Sequence, residues 1–418
     1  MTELRKAEVI RRSTCRLCGR ANLALVLSLT PTPPANAFVP ADRLNQAQQC
    51  FPLDVHLCLD CGHVQLLDVV DPEILFADYV YVSGTSPAFV RHFESYAHAI
   101  ITENGIAPGS LVVDVGSNDG TLLRAFLAKG MRVQGIDPAR AIAAQANASG
   151  IPTEAAFFNR PLAENVRNKL GAAQVVTANN VFAHIDDLDQ VMDGVGALLA
   201  PDGLFVFEVS YLLDVYEQTL FDTIYHEHLS YHSVKPLIPF FRKHGFELIA
   251  ANRVPSHGGS LRGIAQRAGG KRPILPSVGQ AVEKENGLGL SKPATFHAFA
   301  SRIGELRSRL RQVLNDFRAR GEQVAGFGAP AKATTLMYHF ELGRDAIEFI
   351  VDDSPLKQGL FTPGLHVPVM SSDAIYQKTP AGLIILAWNF AQPIMANHRR
   401  YRDAGGRFII PVPQVEVI

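Results

Sequence analysis

The chain has 418 residues, too many for one typical core, so two or three domains are expected. A formal net charge of −1, with 39 basic against 40 acidic residues, offers no general phosphate-binding surface and argues against a nucleic-acid partner. The composition, 47% hydrophobic and 19% charged, is globular; no apolar run reaches membrane-spanning length and residues 1–12 lack a signal-peptide core, so a cytoplasmic protein without a membrane partner is expected.

Four of the five cysteines fall in two Cys-x-x-Cys pairs, Cys15 with Cys18 and Cys58 with Cys61, each followed by a glycine that permits a tight turn. Four thiolates complete a tetrahedral zinc and leave no position for substrate, so the pattern predicts a structural zinc. Pro31, Pro33, Pro34 and Pro40 predict an extended, irregular excursion between the pairs, and Cys50 reads as an ordinary thiol. Residues 78–86 alternate aromatic and small polar side chains, a short strand running into a loop in which Tyr79 and Tyr81 stand equally for packing and for a site role; a helix is predicted from residue 87 to 101.

The stretch 111–137 organises the middle of the chain. An apolar strand at 111–113 leads through Asp114 and the turn Gly116-Ser117-Asn118-Asp119-Gly120 into a helix, and a second strand at 133–136 ends in Asp137, where an α/β nucleotide site places the carboxylate that binds ribose hydroxyls. The spacing is not the Gly-x-Gly-x-x-Gly of a dinucleotide fold, and Asp114 would repel a pyrophosphate while matching the positive charge of S-adenosylmethionine. An ordinary βα turn is the alternative. A helix at 139–148, a strand at 151–158 with Phe157 and Phe158 at its end, a strand from 174 running into Asn180 and His184, and a strand at 203–209 complete a doubly wound α/β pattern, with Asn180 and His184 on the ligand side.

Residues 221–233 hold the densest group of titratable side chains: Tyr225, His226, Glu227, His228, Tyr231 and His232. On a strand, His226 and His228 would share a face and permit a metal pair, but no third ligand is evident and proton transfer is the stronger reading. A glycine-bearing loop comes next, with His257 and Arg262 available to an anion beside Gly258 and Gly259. Residues 268–276 read as a linker, 295–320 as a long amphipathic helix, and 324–333 as a second βα unit with Gly326, Gly328 and Lys332; a strand at 347–351 ends in Asp352, and another spans 383–388. This second unit resembles a degenerate nucleotide-binding half, with a purely structural turn as its equal alternative.

Taken together, the four-cysteine domain, Tyr-x-Tyr-x-Ser at Tyr79, Gly-x-Asn-Asp-Gly at Gly116, Asn-x-x-x-His at Asn180, Tyr-x-Glu-His at Tyr225, His-Gly-Gly at His257 and Gly-x-Gly-Ala at Gly326 resemble, in order and over nearly the whole chain, the sugar-nucleotide C-methyltransferases that act at C-3 of 4-keto sugars in deoxysugar biosynthesis. The resemblance implies a zinc-binding domain over 1–78, a doubly wound methyltransferase domain binding S-adenosylmethionine over 79–267, and a Rossmann-like α/β domain over 268–418 that helps hold the sugar nucleotide. It implies His228 as the base, with Glu227, Tyr225, His184 and Tyr79 as its neighbours. Asp114, Gly116, Asn118, Asp119, Gly120, Asp137, Phe157, Phe158 and Asn180 are then expected at the cofactor. Tyr81, Ser83, His257, Gly258, Gly259, Arg262, Gly328 and Lys332 are expected at a dTDP- or GDP-linked 4-keto sugar, in a chain that works as a monomer. His226 departs from a relative's Asp, and Ser260-Leu261-Arg262-Gly263 matches the family pattern only in part. The competing expectations are transfer to an oxygen or nitrogen, and a zinc-containing nucleic-acid module.

Overall fold

The computed structural model describes residues 9–76, 84 and 87–418. The N-terminal region contains β1 (Val9–Arg11), β2 (Leu23–Thr32), β3 (Phe51–Cys58), β4 (Val64–Leu66) and β5 (Asp68–Val70). The middle of the chain supplies β6 (Leu111–Val115), β7 (Arg132–Ile136), β8 (Thr153–Glu154), β9 (Ala173–Asn179), β10 (Leu199–Ser210), β11 (Ser230–Tyr231), β12 (Phe246–Val254) and β13 (Ser260–Arg267). The C-terminal region supplies β14 (Val324–Phe327), β15 (Ile350–Val351), β16 (Val369–Met370), β17 (Gly382–Ile385), β18 (Arg407–Ile410) and β19 (Glu416–Val417).

The central sheet runs β12-β13-β10-β9-β6-β7-β8, with β6 to β10 parallel and β13 antiparallel to both its neighbours. Both faces are buried: Leu111, Val113 and Val115 of β6 enter one apolar cluster, while Val112 points into another with Leu122, Phe126, Val175 and Val206. Such two-sided burial turns the period-2 pattern into a continuous apolar run, which is why β6 reads so clearly in the sequence. Strand order reverses between β6 and β9, and the crevice beyond their C-terminal ends is where a doubly wound sheet binds its ligand. The C-terminal sheet, β16-β15-β14-β17-β18-β19, repeats the plan with its reversal between β14 and β17.

The N-terminal sheet, β11-β4-β3-β2, takes its edge strand from the middle of the chain: Ser230 pairs with Gln65 and Tyr231 with Val64. One apolar core therefore runs through all three regions, joining Leu53 and Val64 to Phe182, Phe207 and Phe241 and on to Leu310, Phe340 and Ile384. Each buried ring in it is worth roughly 1.5–3 kcal/mol.

Several elements differ from the sequence expectation: the strands predicted at 347–351 and 383–388 are Ile350–Val351 and Gly382–Ile385. The strand predicted at 151–158 is only Thr153–Glu154, because the chain peels away from β7 after two paired residues and Ala156 N–H turns back onto the Asp137 carbonyl. The predicted linker gives way at Pro276 to a helix, Pro276–Leu288, that was not expected there despite its proline at the start and Gly289 (φ 68°) at the end. Residues 225–228, where a strand would have put His226 and His228 on one face, form a turn closed by His228 N–H onto the Tyr225 carbonyl at 2.8 Å. Among the described residues, no helix is long and apolar enough to cross a membrane.

Candidate active site

The cofactor turn is built by close approach. A Cβ on Gly116 (φ 70°) would sit 2.2 Å from Val181 Cγ2, so only glycine lets the ends of β6 and β9 meet at the crevice, and a Cβ on Gly120 (φ 76°) would sit 2.7 Å from Ile151. Asp137 is buried and accepts the N–H of Asn118 on Oδ2 at 2.8 Å and that of Ala139 on Oδ1 at 2.9 Å. Burial pushes its pKa up, against those two bonds. Each oxygen keeps a second lone pair for a ribose hydroxyl. Asp119 receives the N–H and hydroxyl of Thr121 at 3.2 and 2.6 Å and the N–H of Gly84 at 3.2 Å, so it sits at the start of the Thr121–Leu127 helix and ties Gly84 to the turn. Asn180 (φ 55°) comes directly after β9 and donates its N–H to the Glu208 carbonyl at 2.7 Å.

Asp114 lies inside β6, before the turn, buried and accepting the Thr177 hydroxyl at 2.6 Å, and burial raises its pKa to about 7. Phe157 and Phe158 part company: Phe157 is 50% exposed, while Phe158 is a core residue packed where Gly194 lacks a side chain, 2.7 Å from its Cβ position.

The histidine segment is assembled across regions. His228 Nδ1 lies 2.6 Å from the Thr223 carbonyl oxygen, which can only accept, so Nδ1 carries the proton and Nε2 the lone pair. His184 stacks on His228 with ring centroids 5.0 Å apart, and the Tyr225 ring lies 4.1 Å away. Burial, with the field of His228, lowers the His184 pKa well below its usual value and keeps that ring neutral. Glu227 is buried and accepts the amide of Asn36 at 2.9 Å, and the orienting acceptor on His228 Nδ1 is the Thr223 carbonyl. Asn36 belongs to the proline-rich excursion, held in place by Thr334 donating to the Ala35 carbonyl at 3.0 Å.

The other two histidines of the segment are core. His226 sits edge-on to Phe51 and 3.2 Å from its carbonyl, and His232 stacks on Phe182 at 5.2 Å; burial depresses each to about 4. Because a turn separates them, His226 and His228 share no face, and the metal-pair reading falls.

The four sulfurs of Cys15, Cys18, Cys58 and Cys61 lie within 4.8 Å of one another, with Cys15–Cys61 at 3.6 Å and Cys18–Cys58 at 3.5 Å. Ligands 2.3 Å from a tetrahedral zinc are about 3.8 Å apart, so the set fits that ion. From the same region the buried Arg16 pairs with Asp186 at 3.0 Å and reaches the Leu229 carbonyl at 3.3 Å, one residue beyond His228.

Of the residues expected at the sugar nucleotide, Tyr81 and Ser83 lie outside the described residues, as does Tyr79 of the expected catalytic group, and the side chain of His257 is not described. Gly258 and Gly259 are packing requirements, their Cβ positions falling 2.7 Å from Trp388 and 2.1 Å from Asp214. Arg262 is not available to an anion: Nε and Nη2 bind Glu208 at 3.0 and 2.8 Å, with the guanidinium 4.2 Å above Tyr96. Burial alone would raise the Glu208 pKa, yet His92 and Arg262 hold it at about 2. Gly328 (φ 84°) packs against Ala387, 2.6 Å from its Cβ position. Lys332 Nζ lies 3.5 Å above the Trp388 ring and donates to Asn389 at 2.6 Å, and burial lowers its pKa to about 8. Sequence reasoning missed Asn36, Asp222, Thr223, Glu208 and Trp388. The last is the single tryptophan of the chain, a signal that was there to use.

Family models match in three consecutive blocks: a zinc binding domain over residues 15–76, a methyltransferase domain over 89–251 and a C-methyltransferase C-terminal domain over 255–413. The C-methyltransferase NovU of Streptomyces niveus is 36% identical over 404 residues, covering 97% of this chain and 96% of its own. Among solved structures, the magnesium protoporphyrin IX methyltransferase of Synechocystis is 16% identical (TM-score 0.33; 43% of this chain, 79% of that one). An S-adenosylmethionine-dependent methyltransferase of Clostridium acetobutylicum is 12% identical (TM-score 0.35; 43% and 92%). With a zinc-binding cysteine cluster, a central methyltransferase domain that takes S-adenosylmethionine and a C-terminal domain matched along its length, the chain belongs to the C-methyltransferase family.

Proposed function

We propose that the chain methylates C-3 of a nucleotide-linked 4-keto-deoxysugar through an enolate, with His228 as the base. The observation that carries this reading is the 2.6 Å bond from His228 Nδ1 to the Thr223 carbonyl, which leaves Nε2 as a proton acceptor in a ring flanked by Tyr225 and His184. A hydrogen on the carbon next to a ketone passes to Nε2, and the electron pair it leaves spreads onto the ketone oxygen. Tyr225, or His184 through a neutral imidazole N–H, supplies the donor that this oxygen needs. When bound, S-adenosylmethionine would be held by the Gly116–Gly120 turn, Asp137 and Asn180, and would supply the enolate carbon with a methyl group from a positively charged sulfur that leaves as a neutral thioether. Zinc belongs to the fold: four cysteine ligands leave it no open position. This reading takes the chain as a monomer acting on a dTDP- or GDP-linked sugar in the cytoplasm.

The test is incubation with S-adenosylmethionine labelled in its methyl group and a panel of nucleotide-linked 4-keto sugars, RNA and small amines. Label on carbon of a keto sugar is expected; label confined to an amine or a hydroxyl replaces the reading with N- or O-transfer. With the accepting sugar in hand, His228→Asn should lower turnover by on the order of 10²–10⁴ while both ligands still bind.

A further inference from the structure

The C-terminal region grips the segment that carries the base. Asp222 is fully buried, at 0% exposure, and its Oδ2 accepts the indole N–H of Trp388 at 2.6 Å. Its neighbour Thr223 provides the carbonyl that His228 Nδ1 binds, and the next carbonyl, that of Ile224, accepts the hydroxyl of Thr335 at 2.7 Å. Side chains of the C-terminal region thus hold the residues on both sides of Thr223. Trp388 is itself fixed: its edge fills the space that Gly258 leaves, and Lys332 Nζ sits over its face. A cation over the ring draws electron density from it and strengthens the N–H as a donor. Among the described residues, the indole is the one side chain that hydrogen-bonds this carboxylate.

We infer that Trp388 and Asp222 are positioning residues that fix the Thr223 carbonyl, and through it the orientation and tautomer of His228. The inference rests on the proposal that His228 is the base. An imidazole whose Nδ1 acceptor has shifted presents Nε2 off line, and misplacement on the scale of an ångström costs up to about 10²-fold in rate. A contact that merely glued two regions together would change stability and leave the base alone.

The test uses the full zinc-loaded protein, labelled S-adenosylmethionine and the sugar nucleotide that accepts label in the panel. Trp388→Phe, which deletes the indole N–H and keeps an aromatic ring, should lower kcat roughly tenfold to hundredfold, shift the acid limb of the kcat/KM pH profile, and leave S-adenosylmethionine affinity and zinc content as they were. Asp222→Asn keeps an oxygen for the indole and should retain most of kcat, whereas Asp222→Ala should fall with Trp388→Phe. A Trp388→Phe protein with wild-type kcat and pH profile, whatever its melting temperature, overturns the inference. His228→Asn run alongside separates the two claims: normal turnover by that variant sinks the base assignment, while its loss beside a fully active Trp388→Phe sinks only the positioning pair.

Discussion

At the crevice of the central sheet, Asp137 takes the N–H groups of Asn118 and Ala139 at 2.8 and 2.9 Å; at the crevice of the C-terminal sheet, Asp352 takes those of Ala329 and Ser354 at 2.6 and 2.8 Å. Each carboxylate comes just after the second strand of its sheet, and each first strand leads into a left-handed glycine pressed against the chain after the fourth: Gly116 on Val181, Gly328 on Ala387. Beyond this shared frame the crevices diverge. The central one is bordered by the short polar residues Ser117 and Asn118. The C-terminal one is packed by the Trp388 indole between Lys332 and Gly258, and that indole reaches out to Asp222. A strand-turn-helix switch point makes a glycine contact and a capped carboxylate from backbone needs alone, so the motif identifies the frame and leaves its occupant to the neighbouring side chains.

The sharpest way to test the division is to disturb neither frame. The zinc cysteines lie outside both, yet their region reaches the base segment through Asn36 on Glu227 and Arg16 on Leu229. Releasing the metal by Cys58→Ser removes folding free energy from that region. Turnover should fall by on the order of 10²–10⁴, the contribution of a positioned base, while calorimetry should still detect S-adenosylmethionine binding to any soluble protein. Metal-free protein with full activity would show that zinc does not support the site.

Next in size is the exchange of the two carboxylates. Asp137→Ala should weaken S-adenosylmethionine binding by about 1–3 kcal/mol, the usual effect of losing a charged hydrogen-bond partner. Asp352→Ala should leave that affinity alone and lower only the melting temperature. Equal losses of affinity in the two variants would mean that the crevices do the same work.

The unequal legibility of the two sites comes from how they are built. The cofactor turn is local: strand, glycines, carboxylate and helix all fall within residues 111–137, and two-sided burial makes the strands unmistakable. The zinc cysteines are local in pairs. The base segment is not. Its titratable residues stand out in the sequence, but what orients them comes from Asn36, Thr335 and Trp388, far away in the chain, and no spacing rule links Trp388 to Asp222. Composition also gives every histidine in 226–232 the same standing, whereas Phe51 and Phe182 claim two of them for the core. Arg262 misled for a like reason: its partner Glu208 lies on the adjacent strand, visible only once β10 and β13 pair.

The smallest effect comes from one of those core histidines. His232 is buried against Phe182, and burial, opposed by its bond to the Phe182 carbonyl, lowers its pKa from 6.5 to about 4. Between these values the unfolded chain holds a proton that the folded protein excludes, so stability rises with pH there; it is fully present above about pH 6.5 and is lost as pH falls toward 4. One such proton gives a slope of at most about 1.4 kcal/mol per pH unit. His232→Phe keeps a ring against Phe182 and cannot titrate. Urea unfolding at pH 7.5, 6.5 and 5.5 should therefore give the variant a shallower loss of stability than the wild type by up to that amount per unit, with the zinc contribution common to both. Parallel curves would mean that His232 takes up its proton in the folded protein as readily as in the unfolded chain, and would return it to the set of candidate proton carriers beside His228.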